Sequence, residues 1–111
     1  VLPGTNMISD DRAQKALVYL ASTDIPCADA KANMERTEFK VKTLKQTIFL
    51  HSEGTVAERT ALSDTHESVA GAHSEYCDSI AIYQGMQNKR NTESIVMDTW
   101  RTIQANRRKG E

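Results

Sequence analysis

Hydrophobic residues recur through most of this chain at the three- and four-residue spacing of amphipathic helices. The first such stripe consists of Ala13, Ala16, Leu17 and Leu20. Ser9 can cap the helix that carries this stripe, and the acidic residues that follow Ser9 suit a helix N-terminus. The pattern predicts that this N-terminal helix stops near Ser22, because Pro26 favours a restart of the chain as a new helix.

A longer apolar pattern follows Pro26 and repeats every seven residues, as in coiled coils. It consists of Ala30, Met34, Thr37, Val41, Leu44, Ile48 and His51. The repeat predicts a second helix from about Pro26 to Glu53, with one seam facing another helix. Phe39, Phe49 and Leu50 lie off this seam, so we expect a second apolar surface that faces the N-terminal helix or another subunit.

Two helix-boundary signals separate the long apolar patterns. After the glycine at position 54, Thr55–Glu58 matches a capping box, in which the threonine and glutamate side chains bond each other's backbone amides. A short helix through about Leu62 is therefore expected. The next signal is Ser63–Glu67, which predicts a last helix from about Asp64 to Lys109. The two long helices should run antiparallel on either side of this turn.

The last helix carries two apolar stripes divided by a polar run. The stripes consist of Val69, Ala72, Tyr76, Ile80 and Tyr83, then of Val96, Trp100 and Ile103. Residues 87–94 between them are all polar. They allow three interpretations: a buried polar layer that sets helix register through Asn88 and Asn91, a break in the helix, or exposed surface. We favour exposed surface, because an unbroken polar run is typical of a solvated face.

The sequence predicts an all-α fold: a long antiparallel helical hairpin with coiled-coil-like packing, a short helix in the turn and an N-terminal helix alongside. Two prolines, five glycines and two phenylalanines are too few for an all-β chain, which needs many turns and β-forming residues. We expect residues 9–111 to form a single helical domain. Residues 1–8 are interpreted as a disordered leader or expression remnant, with the natural start at Met7.

The predicted seam between the helices is thin, and a second copy of the chain would complete it. The chain is therefore predicted to be a homo-oligomer, most simply a dimer. The residues expected in the core or oligomer seam are Met34, Val41, Ile48, Tyr76, Tyr83 and Trp100.

Charge is divided unevenly along the chain. Residues 1–88 contain eight basic and twelve acidic side chains, whereas residues 89–110 contain six basic and two acidic ones. A basic end of this kind suits contact with nucleic-acid phosphates or with a partner protein. The opposing interpretation is that these cations only stabilise a helix C-terminus. The candidate binding residues are Lys89, Arg90, Arg101, Arg107, Arg108 and Lys109.

His66, His73 and Cys77 share one face of the last helix and are the strongest candidates for chemistry. His73 and Cys77 are weak candidates to share a zinc ion, because His66 lies about 10 Å along the helix and no third ligand is evident. We therefore predict no bound metal and no cofactor. No glycine-rich loop or sharp strand-to-helix turn accompanies the Cys–His pair, so we predict that the protein is not an enzyme.

Cys27 and Cys77 lack the CxxC spacing of redox or zinc motifs. Two unpaired thiols in a reducing cytoplasm are therefore favoured over a disulfide. No apolar run approaches the roughly 18 residues of a membrane-spanning helix. We expect a cytoplasmic protein with no membrane partner.

Four short segments carry a resemblance to a known group of proteins: Glu53–Arg59, Asn88–Arg90, Trp100–Arg101 and Asn106–Gly110. With them, the chain from about Arg12 to Gly110 resembles small uncharacterised helical proteins of tailed bacteriophages. The resemblance implies no catalytic residues. Because the genes of such proteins often neighbour phage replication and recombination genes, it also implies a DNA-metabolism setting in a bacterial host cell.

The function expected from these observations is that of a non-enzymatic phage-type accessory protein. Such a protein would bind nucleic acid, or a phage or host protein, through the basic end of its last helix. The alternative is a homo-oligomeric structural or protein-interaction module that binds no nucleic acid.

Overall fold

The computed structural model describes residues 8–110, and this part of the chain is almost entirely helical. Helix α1 spans Asp10–His51, α2 spans Val56–Thr65 and α3 spans Glu67–Gly110. The described residues contain no β-strand. The predicted all-α hairpin is confirmed, because two long helices pack against each other and a short helix joins them. The leader predicted for residues 1–8 lies outside the described residues, apart from Ile8.

The chain divides into two compact units. The hairpin unit contains residues 28–84, which are the second part of α1, all of α2 and the first part of α3. The terminal unit combines the described residues up to Cys27 with those from Gly85 to Gly110. Within the terminal unit, the start of α1 packs antiparallel to the end of α3.

The core of the hairpin unit is small and apolar. Its buried members are Val41, Val69 and Ala72, and the partly buried residues packed against them are Leu44, Ile48 and Tyr76. Burying one valine side chain contributes about 1.5–3 kcal/mol relative to leaving it exposed, so this core stabilises the unit modestly. Every member of the predicted heptad seam except His51 is buried or half-buried. The seven-residue repeat keeps one face of α1 against α3.

A pair of hydroxyl groups crosses the seam of the hairpin unit. Thr37 Oγ1 and Ser79 Oγ are 2.7 Å apart, and both residues are buried. Each hydroxyl also lies within hydrogen-bond distance of a carbonyl of its own helix, Met34 O at 2.9 Å from Thr37 and Tyr76 O at 2.7 Å from Ser79. Whichever hydroxyl donates across the seam, both oxygens are satisfied, so the polar contact is compatible with burial.

We expect Thr37→Val to destabilise the protein by about 1 kcal/mol, because it removes the hydroxyl partner of Ser79 while preserving side-chain shape. Ser79→Ala should have a similar effect. The double variant should lose clearly less than the two single losses combined, since neither buried hydroxyl then lacks its partner. Urea denaturation measures all three values. Thr47→Val is the matched control, because Thr47 is exposed and bonds only the carbonyl of Thr43 in its own helix.

The turn that joins α1 to α2 has the predicted capping box. Thr55 accepts a hydrogen bond from the backbone amide of Glu58 at 3.1 Å, and Glu58 Oε1 accepts one from the amide of Thr55 at 3.3 Å. Gly54 precedes this box with a φ of 113°, a left-handed conformation that glycine adopts without steric strain. This local chemistry ends α1 and starts α2.

The second predicted boundary is wrong in its details. Helix α2 continues to Thr65, so Ser63 and Asp64 are helical rather than capping residues. Asp64 instead forms an ion pair with Lys45 at 3.6 Å. His66 separates α2 from α3, and its Nδ1 accepts the backbone amide of Ser68 at 3.1 Å. The imidazole thus caps the start of α3 by accepting a hydrogen bond from a free backbone amide.

The predicted break between Ser22 and Pro26 is also wrong, because α1 is one continuous helix with Pro26 in its interior. Contacts within the terminal unit hold the helix on both sides of the proline. Arg90 of α3 donates to the carbonyl of Leu20 at 2.8 Å and also bonds the side chains of Thr23 and Asp24. Just beyond the proline, the Cys27 thiol donates to Gln87 Oε1 at 3.5 Å. These tertiary bonds stabilise the helical conformation around Pro26, against the local helix-breaking tendency of proline.

The polar run at residues 87–94 is not a break either, since α3 continues through it. The interpretation of this run as exposed surface is corrected at three positions. Glu93 is only 4 % exposed, and Gln87 and Arg90 are half-buried against α1. Asn88 and Asn91, proposed as members of a buried polar layer, are exposed. The run therefore contains charged side chains that α3 directs at α1.

Candidate nucleic-acid interface at the end of the last helix

Two of the six candidate cations are engaged in packing within the terminal unit. The guanidinium of Arg90 is bonded to one turn of α1, and its side chain is 19 % exposed. Lys89 places its Nζ 4.8 Å from the ring centroid of Tyr19, which is a cation–π distance. Arg90 therefore holds α3 against α1 in the terminal unit, and Lys89 contributes to the same contact between the two helices.

An ion pair between Arg12 and Glu93, which the sequence pattern did not predict, also joins α1 to α3. Arg12 Nη1 and Nη2 donate to the two carboxylate oxygens of Glu93, each at 2.7 Å. This bidentate arrangement is the strong form of a charge-assisted hydrogen bond. The bond from Arg12 lowers the pKa of Glu93 below its ordinary value, although burial alone would raise it. The same bond raises the pKa of Arg12.

Trp100 is half-buried beside the first turn of α1. Its indole Nε1 donates to Asp10 Oδ1 at 2.9 Å, which satisfies the polar edge of the ring. A small groove of about 240 Å³ lies next to this bond and is lined by Asp10, Ala13, Gln14, Leu17, Met97 and Trp100. The sequence predicted Trp100 in a core or oligomer seam. In the structure Trp100 joins the end of α3 to the first turn of α1, and the residue is only half-buried.

The other four candidate cations lie exposed beyond Trp100. Arg101 forms an ion pair with Asp98 at 3.1 Å, but both side chains are about two-thirds exposed, 66 % and 69 %. Exposed pairs of this kind contribute little and break readily. Arg107, Arg108 and Lys109 form the last turn of α3. Four cations are thus available to a ligand at this end of the terminal unit.

An open groove connects two of these cations to the tryptophan. Its lining residues are Trp100, Arg101, Gln104, Ala105 and Arg108. Arg101 and Arg108 are seven residues apart and so project from the same side of α3, while Ala105 leaves space between them. A guanidinium binds phosphate oxygens, and an accessible indole face can stack on a base. The groove therefore combines the two types of side chain that contact single-stranded or duplex nucleic acid.

The remaining seam residues lie in the hairpin unit. Val41 is buried, whereas Met34, Ile48, Tyr76 and Tyr83 are half-buried. The hydroxyl of Tyr76 donates to Glu38 at 3.3 Å. Burial is the first cause of a raised pKa for Tyr76, and the nearby charge of Glu38 adds to it.

The weak metal candidates, His73 and Cys77, are exposed residues of the hairpin unit. Cys77 Sγ lies 3.5 Å from His73 Nε2. Both cysteines are free thiols, as the sequence predicted, with Cys27 buried and Cys77 exposed. Among residues 8–110, no three histidine, cysteine or acidic side chains gather into a group that could hold a metal ion.

Comparison with protein-family models, with curated proteins and with solved structures finds no match to this chain. Within the part of the chain that the structure describes, no helix is both long enough and apolar enough to cross a membrane.

Proposed function

We propose that this protein binds nucleic acid through the exposed basic end of α3, as a non-enzymatic accessory protein of the phage type. The observation that carries the proposal is the groove in which Trp100 lies beside Arg101 and Arg108. Arg107 and Lys109 extend the positive charge around the last turn of the same helix. Cations and an indole on one surface suit phosphate contact and base stacking together.

The alternative interpretation of these cations is that they only stabilise the negative, C-terminal end of the α3 dipole. That effect operates within the last helical turn. It accounts for Arg107, Arg108 and Lys109, but it does not account for Arg101 beside Trp100, two turns earlier. A ligand that contacts both regions accounts for the whole groove.

The test is binding of fluorescently labelled single-stranded and duplex DNA at several salt concentrations. The triple variant Arg107→Ala, Arg108→Ala, Lys109→Ala should lose at least about tenfold in affinity at low salt. Each lost phosphate contact should also reduce the slope of log affinity against log salt by about 0.9 for duplex DNA. Because Trp100 is the only tryptophan, its fluorescence reports binding at the groove directly.

The matched control is the triple variant Lys31→Ala, Arg36→Ala, Lys42→Ala. These three cations are exposed in the hairpin unit, and their removal changes net charge by the same amount. The control should retain its affinity within about twofold, because the proposal assigns binding to a local site. Equal losses in the two triple variants, or no DNA binding by the unaltered protein at low salt, would exclude the proposed function.

A homo-oligomeric module is the second candidate function, and one feature of α1 favours it. Ile25, Phe39 and Leu50 are large apolar residues that are 71–73 % exposed. Contact of these side chains with another molecule would remove apolar surface from water. Light scattering over a range of protein concentrations tests self-assembly, because a self-assembling module gains mass as concentration rises. The DNA-binding measurement separates the two candidates, because the module binds no nucleic acid.

A further inference from the structure

His73 and Cys77 lie one helical turn apart on an exposed face of α3, within the hairpin unit. The distance from Cys77 Sγ to His73 Nε2 is 3.5 Å. In tetrahedral zinc sites the Zn–S bond is about 2.3 Å and the Zn–N bond about 2.0–2.1 Å. At the tetrahedral angle, these bond lengths place sulfur and nitrogen about 3.5 Å apart. The contact is within hydrogen-bond distance of a thiol and an imidazole nitrogen, and the same spacing fits a chelating pair.

This pair supplies two donors, whereas a closed structural zinc site needs four. His66 precedes His73 by two helical turns, about 10 Å along the axis. The Nδ1 of His66 accepts the backbone amide of Ser68 at the start of α3, so His66 is held in a capping role. The described residues offer no group of three ligands, so a zinc site at this pair would need donors from outside the described residues.

A second copy of the chain would supply the two missing donors, a second thiolate and a second imidazole. Two His73–Cys77 pairs make a Cys₂His₂ set, one of the standard ligand sets of structural zinc. Two thiolates balance the charge of a zinc ion, which favours this set over neutral donors alone. Ala70 and Ala81 lie on the same face of α3, one turn before and one turn after the pair, and both are exposed. Their small side chains leave room for a second helix to approach closely.

We propose that His73 and Cys77 form one half of a zinc site, which a second copy of this chain completes with its own pair. On binding, each Cys77 thiol releases its proton to solvent and the thiolate sulfur bonds the metal. Each neutral His73 donates the lone pair of Nε2, with its proton on Nδ1. The site lies in the hairpin unit and does not depend on nucleic-acid binding by the basic end of α3.

The experiment uses cobalt(II) as a coloured substitute for zinc, with the full chain kept reduced by a phosphine reductant. Titration should give the intense visible bands of tetrahedral cobalt and a thiolate-to-cobalt charge-transfer band. Absorbance should saturate at one metal ion per two chains, and light scattering should show the mass double over the same titration. Zinc added afterwards should bleach the cobalt bands.

Two variants and one control assign the ligands. Cys77→Ser should lose the charge-transfer band and the doubling in mass, and His73→Ala should weaken cobalt binding at least tenfold. Both residues are exposed, so circular dichroism should show helicity unchanged. Cys27→Ala is the control, because it removes the other thiol, which is buried in the terminal unit, and it should retain the full cobalt spectrum.

Several results would overturn the proposal. A cobalt spectrum without a thiolate band would show that Cys77 is not a ligand. Saturation at one metal ion per chain in a monomer would show that a second copy does not complete the site. If Cys27→Ala lost the cobalt bands and Cys77→Ser kept them, the thiolate ligand would be Cys27, and the proposed site would be excluded.

Discussion

Replacing Pro26 by alanine is expected to stabilise the protein by about 2 kcal/mol. Pro26 lies in the interior of α1, seventeen positions into a helix of 42 residues. It has no amide proton for the carbonyl of Ser22, and its ring crowds that carbonyl. Proline in a helix interior is about 3 kcal/mol less favourable than alanine, and local adjustment of the chain offsets part of this difference. The shift in the urea denaturation midpoint measures the gain.

Lys31→Ala is the control for this prediction, since Lys31 is an exposed residue of the same helix. It should change the free energy of unfolding by no more than about 0.5 kcal/mol. If Arg90 compensates for the proline, Arg90→Ala should also destabilise the Pro26→Ala variant less than it destabilises the unaltered protein. An unchanged or lower stability of Pro26→Ala would contradict the account of α1 as a helix held continuous by tertiary bonds.

Replacing Glu93 by alanine is expected to destabilise the protein by about 2 kcal/mol. The carboxylate is buried, and it accepts both hydrogen bonds of the Arg12 guanidinium at 2.7 Å. Its removal ends a charge-assisted pair and leaves Arg12 without its partner. Arg12 keeps partial contact with water, with a side chain 39 % exposed, which limits the loss below that of a fully buried pair.

The carboxylate of Asp98 provides the contrast. Asp98 pairs with Arg101 at 3.1 Å, but both side chains are exposed. Asp98→Ala should therefore change stability by less than about 0.5 kcal/mol. Equal effects of Glu93→Ala and Asp98→Ala would show that burial and bidentate geometry add nothing to the pair between α1 and α3.

The contribution of Glu93 should also depend on pH, as part of the same prediction. Because Arg12 lowers the pKa of Glu93 in the folded protein, the unfolded chain binds this proton more readily than the folded chain. The stabilisation is therefore fully present above the ordinary glutamate pKa of about 4.3. It is lost as pH falls through the lower folded pKa. Glu93→Gln does not titrate, so the stability difference between it and the unaltered protein should shrink on acidification.

This pH experiment isolates one carboxylate, because all other acidic residues are common to the two proteins. A stability difference that stays constant from neutral pH into the acid range would contradict the ion pair.

The candidate interface was predictable only in part. The excess of cations at the end of α3 is a property of composition, and Arg101, Arg107, Arg108 and Lys109 are exposed there. Lys89 and Arg90 belong to the same basic segment but face α1. No sequence pattern separates the two groups, because the difference depends on which helix face meets a partner some 70 residues away.

Helical periodicity, the heptad seam and the capping box at Thr55 were determined by the sequence alone. Each depends on residues within one or two turns of each other, so the local chain contains all the information required. The continuity of α1 through Pro26 and the packing of Arg90 and Glu93 against α1 were decided by tertiary structure. Arg90 and Glu93 bond residues 66 to 81 positions away, and those bonds oppose the local tendency of the proline to break α1.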